Sequence, residues 1–373
     1  MWLATLGAFG TFGMLVLTLP QYVKDELGHG SVGVGAAMGA ASVTAVITSP
    51  PAGRLSDRRG RRPLILAGAL VMAACYLALA LGPGLPGVVA VRLLAGAGEA
   101  AIVVGLYTVA TDLAPEGRHG EAMSLITLAS YLGLTVGPAF ADFLLGGDRF
   151  ALVWLVTAAL VLASLAAVAT LPDTRPRLHA APGGWLPPHG AVLPGSLVLL
   201  GLLGFGGFTA FAALYAKELG IGRPGLLFAL FGGVIALIRF FGRKLPDALG
   251  SRRTIQLSFV TLALGLATLG SWQTATGMIV GTVVFAVGQA LMYPAAVLLA
   301  MESTSTAERS AAVGSVGAFV DVALGLGAVT LGGVAAISGY GGAFITASIV
   351  SLGGLLLVTS LSSRRLPLEE AAR

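Results

Sequence analysis

A few ionisable residues stand inside long apolar stretches of the chain, and they are the first candidates for chemistry. A charge in apolar surroundings is costly, so a residue of this kind is a functional candidate by default. Glu99 follows Arg92 by seven residues, which is two helical turns along nearly the same helix face. Apolar surroundings favour the protonated form of the Glu99 carboxyl, whereas a nearby Arg92 favours the charged form. We expect Glu99, balanced between these two effects, to take up and release a proton.

Other interpretations of the same charges stay open. Arg92 can form a fixed ion pair with Glu99 or with Asp142 that only makes these charges tolerable, and Glu99 can contact a substrate directly. Asp321 is a second candidate for proton exchange, because its stretch is rich in glycine and alanine and leaves an acid there facing a cavity. Arg239 lies close to the end of its stretch, where a long side chain can extend to the surface.

The elements that carry these charges are predicted to be membrane-spanning helices. The chain has 373 residues, of which 56% are hydrophobic and only 10% are charged, and its mean hydropathy is +0.91. A soluble domain carries about 25% charged residues, so a water-exposed surface cannot be built from this composition. The apolar runs are about twenty residues or longer and do not alternate, which predicts helices and excludes a barrel of short alternating strands.

Twelve apolar spans predict an all-α membrane protein with twelve transmembrane helices. They cover residues 2–23, 31–52, 63–82, 86–112, 120–146, 150–171, 192–216, 223–242, 253–271, 273–301, 309–337 and 340–362. Most of the 22 lysines and arginines fall in loops on one side, and the opposite loops hold only Lys24, Arg149, Lys217 and Arg223. Because basic loops stay in the cytoplasm, we expect both termini to be cytoplasmic.

The spans are predicted to form two related halves. The proline-rich segment 172–191 is typical of a cytoplasmic linker; it separates six spans in residues 1–171 from six in residues 192–363, and 364–373 form a short tail. Polar landmarks recur at an offset of 190 residues. The pairs are Asp57 with Asp247, Glu99 with Gln289, and Asp112 with Glu302. Parallel six-span repeats with a site between them are typical of a transporter, so we expect two pseudo-symmetric six-helix bundles.

Two motifs resemble those of the major facilitator superfamily of transporters. G-R-L-S-D-R-R-G-R-R, from Gly53 to Arg62, resembles the family's signature loop between its second and third helices. R-L-L-A-G-A-G, from Arg92 to Gly98, is similar to the family's fourth-helix motif. The resemblance covers the whole chain and implies the major facilitator fold with alternating access by rocking of the two bundles.

The resemblance also implies a gating role for the charged loop. Its aspartate, here Asp57, is implied to pair with a nearby arginine and to face a helix N-terminus of the other half, a contact made only when the halves close on the cytoplasmic side. The alternative is a topology anchor, in which the arginines hold the loop inside. The gating set on this interpretation is Gly53, Asp57, Arg58, Gly60, Arg61, Asp112, Asp247 and Glu302.

The fifth span carries G-L-T-V-G-P, which looks like the core of the antiporter motif of twelve-helix drug and metabolite exporters. Gly133, Gly137 and Pro138 leave a smooth helix face, which either packs against a neighbour or forms an interface at which the halves rock. Further glycines of the motif are replaced in this chain by Ser124, Ala141 and Asp142. The match is partial, and it favours a proton antiporter.

Aromatic and amide side chains complete the candidate site. They can line a central cavity or simply pack between helices, and they are Gln21, Tyr107, Tyr131, Gln289 and Tyr293. The four histidines fall in loops and form no metal-ligating pattern. No phosphate-binding loop and no nucleophile–base constellation is present in the sequence, so we expect neither an enzyme nor a cofactor.

The prediction is therefore a secondary transporter that exports a small amphipathic molecule, such as a drug, a secondary metabolite or a sugar derivative, driven by the proton gradient. The rivals are a proton symporter or facilitator for uptake, and a non-transporting membrane receptor or scaffold. We expect a monomer in the inner membrane of a bacterium, with the lipid bilayer and a small-molecule substrate as its partners. Nucleic acid is not expected as a partner, because the basic residues gather in a few loops.

Overall fold

The computed structural model is helical through nearly all of its described length. It describes residues 1–115, 118–146, 149–170, 174, 188–242, 248–305 and 308–363. Long apolar runs become helices because a helix satisfies its own backbone hydrogen bonds, which water cannot do inside a membrane. No strand occurs in the described ranges, and the all-α prediction is confirmed.

Six helices form the N-terminal half. They are α1 (Trp2–Gln21), α2 (Ser31–Arg59), α3 (Arg61–Ala80), α4 (Leu85–Asp112), α5 (His119–Leu145) and α6 (Phe150–Ala169). The segment Tyr22–Glu26 extends α1 by a π-helical turn. These bounds lie within a few residues of the predicted spans, except at the end of α2.

Six further helices form the C-terminal half. The first four are α7 (His189–Glu218), α8 (Gly225–Phe241), α9 (Ser251–Ser271) and α10 (Ala275–Glu302). The helical run Arg309–Ser363 is broken at Gly339, whose φ of 72° and ψ of 176° are not helical. We call its two arms α11 (309–338) and α12 (340–363). The predicted boundary between the last two spans fell at the same place.

The lengths of these helices suit a membrane. In the part of the chain that the structure describes, ten helical runs are long and apolar enough to cross one, and Arg309–Ser363 supplies two of the crossings. The helix α8 is shorter, with 17 residues, which span about 25 Å at 1.5 Å per residue. The prediction of twelve transmembrane helices is confirmed.

The internal repeat is visible in the packing. In the first half α1 packs on α5 and α6, α2 on α4, and α3 on α4 and α6; in the second half the same pairs recur six helices later. The halves meet where α2 packs on α11 and α5 on α8, and these two contacts are also exchanged by the repeat. The chain therefore forms two pseudo-symmetric six-helix bundles.

The helix ends define two faces of the molecule. The terminal face carries the start of α1 and the end of α12, together with the ends of α2, α4, α6, α8 and α10. The distal face, at the opposite end, carries the turns that follow α1, α3, α5, α7, α9 and α11. The stretch Gly53 to Arg62 lies on the terminal face.

The prediction that Gly53 to Arg62 is a loop is wrong. The helix α2 continues through Arg59, so the charged residues occupy its last turns, and Gly60 alone links α2 to α3. Gly60 has a φ of 97°, and Gly250 before α9 has a φ of 80°. Only glycine adopts such angles without strain, so the repeat preserves a glycine turn at the same point in each bundle.

Candidate functional site

Partly exposed polar side chains from both bundles form a cluster between them. We call this the central cluster, and it consists of Tyr107 of α4, Tyr131 of α5, Arg239 of α8, Tyr293 of α10 and Asp321 of α11. Tyr293 lies within Coulombic range of the other four members. Tyr131, Tyr293 and Asp321 lie well inside membrane-spanning helices and yet remain partly exposed, which indicates a cavity between the bundles.

Arg239 reaches across the interface from α8 to α5. Its guanidinium carbon lies 4.2 Å from the centroid of the Tyr131 ring, and its Nη2 donates a hydrogen bond of 2.8 Å to the Tyr131 hydroxyl. Arg239 shares a helix face with the buried Ile235, whereas Phe240 and Phe241 are 73% and 78% exposed on the outer side. The expectation that Arg239 extends to the membrane surface is wrong, because its position turns it towards the cavity.

Asp321 lies in the same cavity without a counter-ion. Among the described residues it has no hydrogen bond and no ion pair, and Glu99 lies within Coulombic range of its carboxyl group. An isolated carboxylate inside a membrane is costly, and the cost falls when the group takes up a proton. The prediction that Asp321 faces a cavity fits this position.

Glu99 is already paired. Its Oε1 accepts a hydrogen bond of 2.8 Å from Nη1 of Arg92, and the side chain of Arg92 is only 5% exposed while that of Glu99 is 24% exposed. The Nε of Arg92 is buried and has no partner among the described residues. The geometry is that of the ion-pair interpretation of Glu99, and Asp321 is left as the unpaired acid.

Asp142 does not pair with Arg92. Its Oδ2 accepts a hydrogen bond of 3.1 Å from the backbone nitrogen of Gly225, at the start of α8 in the other bundle. A carboxylate is favoured at a helix N-terminus because the helix dipole is positive there. Asp142 thus holds the two bundles together on the distal face.

Arg61, which follows the charged end of α2, makes its described side-chain contacts within its own bundle. Arg61 forms an ion pair with Asp57, donates a hydrogen bond of 3.0 Å from Nε to Asp112, and donates another of 3.1 Å to Ser56. The side chain of Asp57 is 51% exposed. In this conformation, Asp57 does not show the implied contact with a helix N-terminus of the other half.

The other members of the predicted gating set are placed in a similar way. Arg58 is exposed on the last turn of α2, and Gly53 lies inside that helix. In the second repeat Ser251 donates a hydrogen bond of 2.6 Å to Glu302, at the positions that Arg61 and Asp112 occupy in the first. Asp247 lies outside the described residues.

Two reciprocal ion pairs join the bundles at the distal face. Lys24 pairs with Glu218 at 2.8 Å, and Lys217 pairs with Asp25 at 2.9 Å. We call these four residues the distal latch. Lys24 also donates a hydrogen bond of 3.1 Å to the hydroxyl of Tyr340. The distal latch was not predicted, although the sequence carries a signal for it: the first and seventh spans end in Y-V-K-D-E-L-G and Y-A-K-E-L-G, each with a lysine followed by an acid.

The glycines of the fifth-span motif face α1 of the same bundle. A Cβ on Gly133 would meet the Leu6 carbonyl oxygen at 2.6 Å, and one on Gly137 would run into the Gly10 carbonyl. Pro138 presents its carbonyl oxygen to Gly225 of α8. Packing within the bundle accounts for the two glycines. Contacts of α5 with the other bundle are made instead by residues such as Pro138 and Asp142.

Two of the predicted cavity residues are not exposed to the cavity in this conformation. Gln21 is completely buried and donates a hydrogen bond to the Leu17 carbonyl of its own helix. Gln289 is 8% exposed and donates one of 3.2 Å to the Gly201 carbonyl of α7. The three tyrosines of the predicted set lie in the central cluster.

The bundles touch distally and separate towards the terminal face. Along α2 and α11, a Cβ on Gly35 would run into the Ala328 carbonyl, and one on Gly332 would meet the Ser31 carbonyl at 2.8 Å. Further towards the terminal face, added Cβ atoms would meet nothing within 4 Å. The open positions are Gly53, Gly314 and Gly317. The contacts between the bundles that the structure describes thus lie towards the distal face, which indicates a cavity closed there and open towards the terminal face.

Two bundles of six helices around a polar cavity that is open at one face define a membrane transporter of the alternating-access type. The model of the Major Facilitator Superfamily matches residues 1–243 and 195–373. The chain belongs to this superfamily, and it is not an enzyme.

Known proteins similar to the chain agree in type and in fold. An uncharacterised transporter of this superfamily from Salmonella typhimurium strain LT2 is 28% identical over 368 residues, which cover 93% of this chain and 92% of the relative. One from Pseudomonas aeruginosa strain PAO1 is 29% identical over 379 residues, covering 95% and 90%. The crystal structure of the nucleoside transporter NupG superposes with a TM-score of 0.81 at 13% identity and covers 98% of both chains. At that identity the last similarity shows the fold alone.

Proposed function

We propose that the chain is a proton-coupled secondary transporter that moves a small amphipathic molecule by rocking of its two bundles. The observation that carries this proposal is Asp321, an unpaired acid in a central cavity that is open to one face. A carboxyl group that exchanges a proton there changes the charge of the cavity between the two access states, which couples proton movement to substrate movement.

Export in exchange for protons is the first candidate direction. The partial antiporter motif around Gly137 and Pro138 favours it. The terminal face is then the cytoplasmic face, as the distribution of basic residues indicates, and the cavity is open to the cell interior. The inner membrane of a bacterium is the proposed location, which the bacterial relatives support, and the proton gradient is the proposed driving force.

Proton symport is the second candidate, and Arg239 favours it. A permanent cation facing the cavity suits an anionic substrate. An anion and the charged form of Asp321 repel each other, so protonation of Asp321 favours binding of the anion, and proton and anion then move in the same direction.

The test begins with purified protein and a screen for small molecules that raise its Tm, in which nucleosides and other metabolites are included. Each hit is then followed in proteoliposomes under an imposed pH gradient. We expect the gradient to drive accumulation of the substrate in the wild type. Movement against the proton flux supports exchange, and movement with it supports symport.

The variant Asp321→Asn separates the proton step from binding. We expect it to abolish accumulation driven by the pH gradient while it retains exchange of labelled for unlabelled substrate, because the loaded carrier can still rock. Glu308→Gln is the matched control, since Glu308 is an exposed acid whose side chain bonds only to the nearby Ser305 among the described residues. Gradient-driven accumulation in Asp321→Asn at the wild-type level contradicts the proposal.

A further inference from the structure

We propose that Arg239 binds the anionic group of the substrate, so that the substrate class is organic acids with a flat apolar or aromatic body. This inference rests on the proposed transport function and names the substrate of the same cavity. The site consists of the Arg239 guanidinium and the hydroxyls and rings of Tyr107, Tyr131 and Tyr293.

The charge of Arg239 has no counter-ion within the described structure. The guanidinium is permanently charged, and no carboxylate of the described residues lies within 4.0 Å of it. Its only hydrogen bond there goes to the neutral hydroxyl of Tyr131, and its Nε is buried without a partner. A permanent cation inside a membrane protein is normally paired. An anionic ligand that enters the cavity completes the pair.

The side chains around Arg239 indicate which kind of body the anionic group of the substrate is attached to. Tyr131 holds the guanidinium by ring stacking and by a hydrogen bond, which leaves the planar group oriented towards the cavity. Such a fork of donors suits the two oxygens of a carboxylate. Tyr107 and Tyr293 lie near it, and tyrosine combines a flat apolar ring with a hydroxyl donor. A carboxylate attached to an aromatic or similarly flat body matches this arrangement.

A lipid headgroup is the other source of an anionic oxygen, and the geometry disfavours it. Phe240 and Phe241, which follow Arg239 in α8, face outwards, whereas Arg239 lies on the face that contacts α5. The guanidinium therefore opens towards the space between the bundles and away from the lipid. Soluble acids and phosphatidylglycerol are compared in the test below.

The test measures equilibrium binding, without a pH gradient, to protein purified in detergent. The probes are benzoate, 1-naphthoate and indole-3-acetate, each compared with its uncharged amide by calorimetric titration. We expect at least one carboxylate to bind and its amide to bind at least tenfold more weakly. In Arg239→Gln we expect a loss of affinity of about 10- to 100-fold, the range for loss of a charge-assisted hydrogen bond.

Two further variants distinguish a specific loss of binding from a loss of folding. Arg223→Gln is the matched control, because it removes the same charge from the exposed distal start of α8 and is expected to leave binding unchanged. Tyr131→Phe keeps the ring but removes the hydroxyl that orients Arg239, and we expect it to weaken binding several-fold. This second variant tests the site even if Arg239→Gln does not fold.

Several outcomes overturn the inference. They are binding of the amides as tightly as the acids, unchanged affinity in a folded Arg239→Gln, and no binding by any of the three acids. Stabilisation of the wild type by phosphatidylglycerol over phosphatidylcholine in nanodiscs, lost in Arg239→Gln, assigns the site to lipid and also overturns it. The proposed function is tested separately, since Asp321→Asn is expected to lose proton-driven transport and to retain binding of the acid.

Discussion

At the scale of single residues, the pair of Arg92 and Glu99 is a structural ion pair, in contrast to the unpaired Asp321. Both residues lie in α4, two helical turns apart. Arg92 is almost fully buried, so its charge depends on Glu99 for compensation. The pair thereby makes α4 tolerable in the membrane. This supports the proposal that Asp321, unpaired among the described residues, is the acid that exchanges a proton.

Replacement of Glu99 by glutamine is expected to lower the Tm of the protein. Breaking a fully buried ion pair costs about 3–5 kcal/mol, and the cost here is smaller because Glu99 is partly exposed. The measurement is thermal unfolding of the purified variants. The double variant Arg92→Met, Glu99→Met is expected to recover most of the lost stability, because no buried charge is left unpaired. An unchanged Tm in Glu99→Gln, together with loss of proton-driven transport, would return Glu99 to the role of proton carrier.

The identity of the charged residues could be predicted from the sequence, but their partners could not. Arg239 lies three residues from the end of its predicted span, which fits a side chain that extends to the surface equally well. Only the neighbouring helix α5 decides that it turns inwards to Tyr131. For the same reason the sequence could not show that Asp57, on the terminal face, makes no contact with a helix N-terminus of the other half here. A contact of that kind is made on the distal face by Asp142, which the sequence marked as a departure from a motif and as a possible partner of Arg92.

At the scale of helices, glycine permits the close approach between the bundles. Gly35 of α2 packs on the backbone of α11, and Gly225 of α8 packs on that of α5. The same repeat places Gly325 of α11 against Ser42, and Gly232 of α8 against Thr135. The contact of α2 with α11 and the contact of α5 with α8 close the distal face. We expect the bundles to slide or separate at both contacts when the transporter changes state.

The variant Gly35→Ala is expected to open the distal face. Its added Cβ runs into the Ala328 carbonyl, which is backbone and cannot move aside cheaply. The measurement is the reactivity of a cysteine introduced at Ala328, which is 2% exposed in the contact with Gly35, towards a membrane-impermeant maleimide, since the native Cys75 is buried. Gly233→Ala is the control, because a Cβ there meets nothing within 4 Å. Equal reactivity in Gly35→Ala and the wild type argues against a distal contact that gates access.

Helix number and approximate bounds could be predicted, because a span of fixed length must be apolar. The continuation of α2 to Arg59 could not, since a dense charge cluster outside the membrane can be helix or loop. Gly60 and Gly250 mark where the helix ends and the turn begins. Their positive φ angles place the turn after the charged residues and not before them.

At the scale of the whole molecule, the distal latch links the halves through their own duplication. Each half contributes one lysine and one acid, and each lysine crosses to the acid of the other half. The latch can form only when the bundles close distally. It therefore stabilises the conformation seen here against the one open at the distal face.

Reversing one charge of the latch is expected to favour the distally open state. The side chains of Lys24 and Glu218 are 34% and 53% exposed, and an exposed pair contributes about 0.2–1 kcal/mol, which corresponds to a change of up to about fivefold in the ratio of the two states. Repulsion in Lys24→Glu adds to this effect. The measurement is the distance between spin labels at Leu81 and Ile337, which are 87% and 91% exposed on the two bundles.

The double variant Lys24→Glu, Glu218→Lys restores opposite charges and is expected to restore the wild-type distance distribution. Equal distributions in Lys24→Glu and the wild type would show that the latch does not affect the balance between the two access states.

The repeat that creates the latch could be read from the sequence as an offset of 190 residues. The conformation could not, because the same contacts within each bundle serve both access states.

The four charges of the distal latch also make the closed conformation sensitive to the salt concentration around the protein. All are partly in contact with water, and dissolved ions screen such charges within about 8 Å at physiological ionic strength. Saline water at the distal face therefore weakens the closed conformation without any change in the chain, whereas dilute water strengthens it. We therefore expect the ratio of the two access states to change with the ionic strength at the distal face.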